Sequence, residues 1–312
     1  FVYMDSSIFS IIILTSFVSC FLLKGWFTKI KLFDAINFRS AHQTNATKTG
    51  GIAIFFTIFF ISFYHYLVGN EIFDFSLLIP LGIMFIVGVY DDFYNADFKL
   101  KFFLQIIVAK ILIDQGFIIE NFHGIFGLEQ IPRLASQIFT IFVFLVIVNA
   151  INFIDGIDGL AITETIKVIL LVEFLSAEKT NLFNLGILIV FSLIPLYYFN
   201  FKKKDKVFLG DAGSLLIGTV IAIYLFYVLG GEFTFKKAFI TNKPLFTMGL
   251  ISYPLIDLLR VFIIRVKNKK SPFRPDMNHI HHKLLNLGYS HFKIVIIIQL
   301  LSLIILLTQF FI

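Results

Sequence analysis

Long uncharged apolar runs alternate with short polar stretches along this sequence. Ten runs stand out, near residues 8–23, 51–69, 76–90, 102–117, 134–151, 161–176, 185–200, 214–230, 245–264 and 291–311. Several are shorter than the roughly 20 residues that a perpendicular helix needs to cross the hydrocarbon core. The pattern predicts an all-α integral membrane protein: a polytopic bundle of about ten transmembrane helices in one domain, 1–312. The first run, Ile8 to Leu23, is followed rather than preceded by Lys24, and no small-residue cleavage site is evident. It is therefore expected to stay as a membrane helix and not to act as a signal peptide.

Composition agrees. Only 15% of residues are charged, where a soluble domain would carry about a quarter. The lone Cys20 lies inside the first run and can form no intramolecular disulfide. With 42 phenylalanines in the chain, aromatic faces are expected to pack against neighbours or lipid.

The distribution of Lys and Arg sets an orientation. Loop one holds Lys24, Lys29, Lys31, Arg39 and Lys48; loop three Lys99 and Lys101; loop seven Lys202, Lys203, Lys204 and Lys206; loop nine Arg265, Lys267, Lys269, Lys270, Arg274 and Lys283. The alternate loops hold fewer cations, mixed with Glu71, Glu120, Glu129 and Glu232. The positive-inside rule then makes the odd loops cytoplasmic and both termini extracytoplasmic.

Sorted this way, the polar motifs share one side: "VYDDFYNADFKLK" (89–101), "NAINFIDGIDGLA" (149–161), "KVFLGDAGS" (206–214) and "SPFRPDMNHIHHKLLNLG" (271–288). Asp91, Asp92, Asp97, Asp155, Asp158 and Asp211 gathered at a hydrocarbon boundary need a countercharge. Mg2+ suits them, because it takes one or two carboxylates and fills its remaining positions with water and phosphate oxygens. In "DGIDG" and "GDAGS" a glycine beside the aspartate allows positive φ and close approach of an anion, and a helix is expected to follow, with its free N–H groups facing the loop. With the nearby lysines, these features describe a site for a diphosphate. The plainer reading of each aspartate alone is a helix N-cap or a turn former.

These motifs, with "RSAH…TGGIAI" (39–54), occur in an order that resembles the polyprenyl-phosphate N-acetylhexosamine-1-phosphate transferases, over nearly the whole chain. The resemblance implies a Mg2+-dependent enzyme (Mn2+ as a substitute) of the bacterial inner membrane with a cytoplasmic active site. Its expected reaction moves an N-acetylhexosamine 1-phosphate from a UDP-sugar to undecaprenyl phosphate, releases UMP and initiates a cell-envelope polysaccharide. The expected partners are the polyprenyl phosphate lipid, the UDP-sugar and a second copy in a homodimer; no nucleic acid is expected.

Roles follow position by position. Asp211 matches the family's metal ligand, and Asn152 a residue near metal and diphosphate. Asp91 and Asp92 match paired carboxylates that contact the lipid phosphate or deprotonate it, and the resemblance leaves those two roles open. Lys101, and less closely Lys99, matches a basic residue reaching the diphosphate. Asp158 matches the uracil-binding position, with Asp155 in the same turn, and Phe208 an aromatic on which uracil stacks. His281 and His282 match histidines facing diphosphate or sugar, with His279 as the motif's outer member. Arg274 and Lys48 complete the anion contacts, alongside Arg39 and His42.

There are departures. The first loop reads "RSAHQTNATKTGG" where the family subgroup resembles "RSSHTKPTPRGGG", so two prolines and one glycine are absent and Lys48 takes an arginine's place. "HIHH" differs from the three consecutive histidines of the muramoyl-pentapeptide branch, which makes a peptidoglycan precursor the disfavoured product. Lys110 with Asp114, Asp257 with Arg260, and Glu164 with Lys167 have helical spacings that permit structural pairs, although Glu164 lies close enough to "DGLA" to support the site. A secondary transporter predicts acids at mid-span and often inverted repeats, neither of which is found. A silent scaffold would have lost some of the four motifs. His65, His123 and His291 receive no assignment.

Overall fold

The structure is a computed structural model that describes residue 4 and residues 6–33, 46–127, 129–237, 242–269, 271 and 278–310. Helices occupy the apolar runs: α1 (Ser6–Lys29), α2 (Gly50–Leu67), α3 (Leu78–Tyr94), α4 (Phe98–Asp114), α5 (Arg133–Ile154), α6 (Leu160–Leu175), α7 (Phe183–Asn200) and α8 (Gly210–Leu229). They continue with α9 (Lys243–Leu250), α10 (Ser252–Lys267), the short α11 (Ile280–Asn286) and α12 (His291–Thr308). Among the described residues seven helices are long and apolar enough to cross a bilayer, α3 being counted with the 3-10 turn that leads into it. The chain is an all-α, multi-pass membrane protein.

The ninth run departs from expectation. It is two helices, α9 and α10, that meet at a 76° bend. Pro254, near the start of α10, supplies a cause: it lacks an N–H, and its ring clashes with the carbonyl four residues earlier, at Leu250, the last residue of α9. Counted as one span, this pair brings the number to eight. Helices α4 and α6, with 17 and 16 residues, are shorter than the seven.

Helix α8 is the axis of the bundle, buried along almost its whole length. Missing side chains let its neighbours come close. A Cβ on Gly88 of α3 would lie 2.3 Å from the Asp211 carbonyl oxygen, and one on Gly51 of α2 would lie 2.1 Å from the Gly213 nitrogen. Such small-residue contacts are a general means of helix association in lipid, where tails are as apolar as leucine. They also bring the first turn of α8 against two helices at once.

Two very short strands secure that end. Strand β1 (Ala46–Thr47) pairs in parallel with β2 (Lys206–Val207), Ala46 opposite Lys206 and Thr47 opposite Val207. The pairing continues as Phe208 N–H donates to the Thr47 carbonyl (2.9 Å) and Gly51 N–H to that of Leu209 (2.8 Å). The first and seventh loops are thereby fixed to each other beside the start of α8.

The buried Glu164 of α6 is paired with Lys167, as Lys and Glu within a membrane bundle must be. Glu164 on α6 accepts from Lys167 (2.8 Å) and from Gln299 of α12 (2.9 Å), and Lys167 also donates to Ser302 (2.7 Å). This network joins α6 to α12, so Glu164 is structural. Lys110 and Asp114 also pair, on an exposed face.

Candidate active site

The site grows from the first turn of α8. Asp92, near the end of α3, accepts the Asp211 N–H on one carboxylate oxygen (3.0 Å) and the Ala212 N–H on the other (2.9 Å). A side chain from a different helix thus caps α8 and fixes its Asp211. The expectation of free N–H groups at this helix start is corrected: those of Asp211 and Ala212 are taken. At α6 the Gly159 N–H likewise donates to Asn200 Oδ1 (2.6 Å). The positive φ expected beside the aspartates is present at Gly210 and Gly159, but the space over these two is not left open to an anion. The space over Gly210 (φ 73°) is filled by the Asp92 carboxylate, and that over Gly159 (φ 74°) by the rings of Phe201 and Tyr197. Their left-handed backbones serve internal packing.

Asp91, one residue before Asp92, faces another way. Its Oδ1 accepts the Ala96 N–H (2.9 Å) and its Oδ2 is paired with Lys101. This closes a compact helix–turn–helix, in which Asn95 is left-handed (φ 52°) and Asp97 accepts the Lys99 N–H to cap α4. Asp97 is therefore the N-cap of the plainer reading. Lys101 also lies 3.8 Å from Asp211 Oδ1, so one ammonium bridges two acids. Lys48 stands 3.6 Å from Asp92.

Asn152, in the last turn of α5, donates its amide to Asp211 Oδ1 and to Ser214 Oγ, the latter at 2.7 Å. Asn152 would present its oxygen to a cation only after its amide turns over, an exchange of near-isosteric ends. Asp155 follows as α5 ends. Burial, then the charges of Asp211, Asp92 and Asp158, push its carboxyl well above the usual carboxylate range, with Lys48 opposing. Asp158 is paired with Lys206, and His291 Nδ1 of α12 lies 2.7 Å from its Oδ2. The Lys206 ammonium also sits 5.3 Å from the centre of the Phe208 ring.

The histidines close the far side. His279 and His281 stack at 5.3 Å, and His282 lies 4.5 Å from His281, ring centre to ring centre. A Cβ on Gly156 would lie 3.5 Å from His281 Nε2, so "HIHH" adjoins "DGIDG". Burial, then the neighbouring His282 and His279, push the His281 imidazole down to about 3, which keeps it neutral. Asp257 is 3.3 Å from Arg260, as its spacing suggested, but its main contact is His279 Nδ1 at 2.7 Å. Lys206, His291, Asn200, Tyr253 and Asp257 belong to this region without having been assigned to it. Asn200 alone carried a legible signal: an asparagine ending an apolar run, as Asn149 and Asn152 do. Arg274, Arg39 and His42 lie outside the described residues.

A hard cation fits the acid cluster. Among the described residues, Asp91, Asp92, Asp155 and Asp211 face two ammonium groups, those of Lys48 and Lys101. Both oxygens of Asp91 and of Asp92 are taken by protein donors, so Asp155 and Asp211 are the carboxylates whose oxygens suit a hard cation such as Mg2+ better than a softer metal.

A multi-pass helical bundle with metal-type carboxylates and phosphate-type lysines at one end defines a membrane enzyme that handles phosphates. The glycosyl transferase family 4 profile matches residues 74–229. The chain is 33% identical over 289 residues to the undecaprenyl-phosphate alpha-N-acetylglucosaminyl 1-phosphate transferase of Pasteurella multocida, covering 88% of this chain and 77% of that one. With the transferase of the same name from Haemophilus influenzae it shares 32% over 302 residues (93% and 81% covered). With the probable undecaprenyl-phosphate N-acetylglucosaminyl 1-phosphate transferase of Bacillus subtilis it shares 29% over 302 residues (94% and 81%). The chain belongs to glycosyl transferase family 4, among the polyprenyl-phosphate N-acetylhexosamine-1-phosphate transferases.

Proposed function

We propose that this protein transfers N-acetylglucosamine 1-phosphate from UDP-N-acetylglucosamine to undecaprenyl phosphate at the cytoplasmic face of the bacterial inner membrane. One observation carries the reading: Asp92 of α3, Lys101 of α4 and Asn152 of α5 converge on Asp211 of α8, where apolar helices end. One substrate phosphate is tethered in lipid and the other arrives dissolved, so they can meet only at such a boundary. The names of the relatives support the sugar and the lipid.

The chemistry is an exchange at phosphorus. An oxygen of the lipid phosphate forms a bond to the β-phosphorus of the UDP-sugar, the bond to the UMP oxygen breaks, and UMP leaves with that electron pair. The second ionisation of a phosphate monoester lies near about pH 6, so the attacking group is already largely dianionic at neutral pH and needs little help from a base. This favours Asp91 as the partner that aims Lys101, and Asp92 as the cap that aims Asp211. Mg2+, or Mn2+ in its place, held by Asp211 and Asn152, would neutralise the diphosphate when bound. Lys101 and Lys48 add fixed positive charge. Asp158, aimed by Lys206 and His291, and Phe208 are suited to hold the uracil. The lysine-rich odd loops support ten crossings with both termini outside, the short α4 and α6 included.

The test uses purified protein with undecaprenyl phosphate, UDP-N-acetylglucosamine and Mg2+. UMP release is expected, and Asp211→Ala is expected to abolish it while the melting profile is retained. Full activity of that variant would remove the metal assignment; no UMP from any UDP-N-acetylhexosamine would remove the reaction.

A further inference from the structure

Helix α10 carries Tyr253 and Asp257 one turn apart on one face, just beyond the bend, and each addresses a histidine. Asp257 takes His279 Nδ1 on Oδ2 (2.7 Å) and the Ile280 N–H on Oδ1 (2.9 Å). The Tyr253 hydroxyl lies 3.0 Å from His281 Nδ1. Tyr253 and His281 are both buried. The other ring nitrogen, His281 Nε2, has no hydrogen-bond partner among the described residues. A buried polar atom left unpaired costs about 1–3 kcal/mol, a cost that a ligand accepting from this nitrogen would recover.

The proton positions follow from what each group can offer. A buried phenol must donate its O–H, and among the described residues its partner is His281 Nδ1. The Asp257 oxygen, 4.0 Å from Nδ1, is too far away to take a proton from it. Nδ1 is therefore the acceptor, and in a neutral imidazole the hydrogen then sits on Nε2. That nitrogen looks across Gly156, where the missing Cβ leaves room: a methyl there would stand 3.5 Å away, in the position of a ligand atom. Gly156 belongs to the same turn as Asp155 and Asp158, the side suited to the nucleotide. Asp257, His279 and His281 also place one ligand atom each within 4.8 Å of one another, as a metal site would. The His279 and His281 Nδ1 atoms and both Asp257 oxygens are, however, already committed to protein hydrogen bonds.

We propose that Tyr253 is a positioning residue whose hydroxyl locks His281 as the Nε2–H tautomer, so that this N–H donates to an oxygen of the departing UMP phosphate. The inference rests on the transfer reaction proposed above. A neutral donor fixed in this way gains strength as negative charge builds on the leaving group, so its loss is felt in kcat more than in KM.

The deciding experiment records 15N spectra of imidazole groups in the full-length protein labelled at histidine, with His281 assigned by its disappearance in His281→Gln. The wild type is expected to show His281 as the neutral Nε2–H form. In Tyr253→Phe that preference is expected to weaken, with kcat down roughly tenfold, the worth of about one hydrogen bond, and KM for the UDP-sugar within about twofold. A wild-type His281 in the Nδ1–H or doubly protonated form would overturn the proposal, as would Tyr253→Phe turning over at the wild-type rate. Should Tyr253→Phe fail to fold, the wild-type tautomer decides alone. A protein with the expected tautomer that releases no UMP would count against the transfer reaction and leave the Tyr253–His281 contact standing.

Discussion

Asp92 holds the backbone N–H of Asp211 at 3.0 Å, so the acid that caps α8 is not the acid that α8 presents. The two carboxylates belong to one device with separate jobs. Asp92→Ala leaves two N–H groups of α8 without their acceptor, at a cost of about 1–2 kcal/mol. It is expected to lower both the melting temperature and UMP release. Asp92→Asn keeps one acceptor oxygen and is expected to recover part of the melting temperature; thermal melts of the two variants in detergent, beside the UMP assay, check the ranking.

Lys101 competes with any cation for Asp211. Removing its charge in Lys101→Gln deepens the negative potential around Asp211, while a group that reaches the diphosphate is lost. Turnover is expected to fall about a hundredfold, and the Mg2+ concentration giving half-maximal rate is expected to fall several-fold as well, from a Coulomb term of about 1–4 kcal/mol at this separation. A Mg2+ titration of the variant's residual activity measures both.

Lys206 touches Asp158 and lies over Phe208. Lys206→Met releases both groups suited to the base. KM for the UDP-sugar is expected to rise about tenfold, with kcat nearly unchanged, which is the pattern of lost uniform binding. Steady-state kinetics at saturating lipid read it directly.

Gly88 is where α3 meets the backbone of α8. Gly88→Ala would put a methyl 2.3 Å from the Asp211 carbonyl oxygen, and neither backbone can yield cheaply. Overpacking of this kind costs about 1–3 kcal/mol, and here it also shifts Asp211. Gly82→Ala, on the same helix, meets only the Phe55 ring at 3.7 Å. The first variant is expected to lose stability and activity together and the second to keep both, as melting and UMP release will report.

His281 gives a pH signature. In the folded protein burial holds its proton affinity down to about 3, against 6.5 for an ordinary histidine. Between those values the unfolded chain binds a proton that the folded chain refuses, so this contribution to stability is complete above 6.5 and erodes as pH falls. The melting temperature of the wild type is expected to drop more between pH 8 and pH 5 than that of His281→Gln.

The helices were legible because a membrane span needs only apolar length, and charge bias adds an orientation. The position of the ninth run was legible, but its bend was not, since Pro254 could have been absorbed in a first turn. The site residues Asp91, Asp155, Asp158, Asp211 and Asn152 were readable as a group from motif order. The N-cap role of Asp97 was readable because its partner is two residues away, but the rest of the division of labour was not: Asp92 caps α8 and Gly159 makes room for an aromatic ring, and such partners come from segments distant in sequence. Lys206 and His291 were hidden for the same reason: one sits in a run of lysines that any inner loop could carry, and the other opens a helix whose motif had already ended.

The parallel pairing of Thr47 with Val207 carries a consequence for biogenesis. As the chain leaves the ribosome, α2 and α3 enter the membrane well before the segment that will complete them. Until residues 206–212 emerge, the first loop has no strand to join and Asp92 has no helix start to hold. A nascent chain stalled before that point is an incomplete bundle whose Asp92 lacks its α8 partners, unable to assemble its catalytic centre. The enzyme therefore cannot become competent before its eighth helix inserts into the gap between its neighbours.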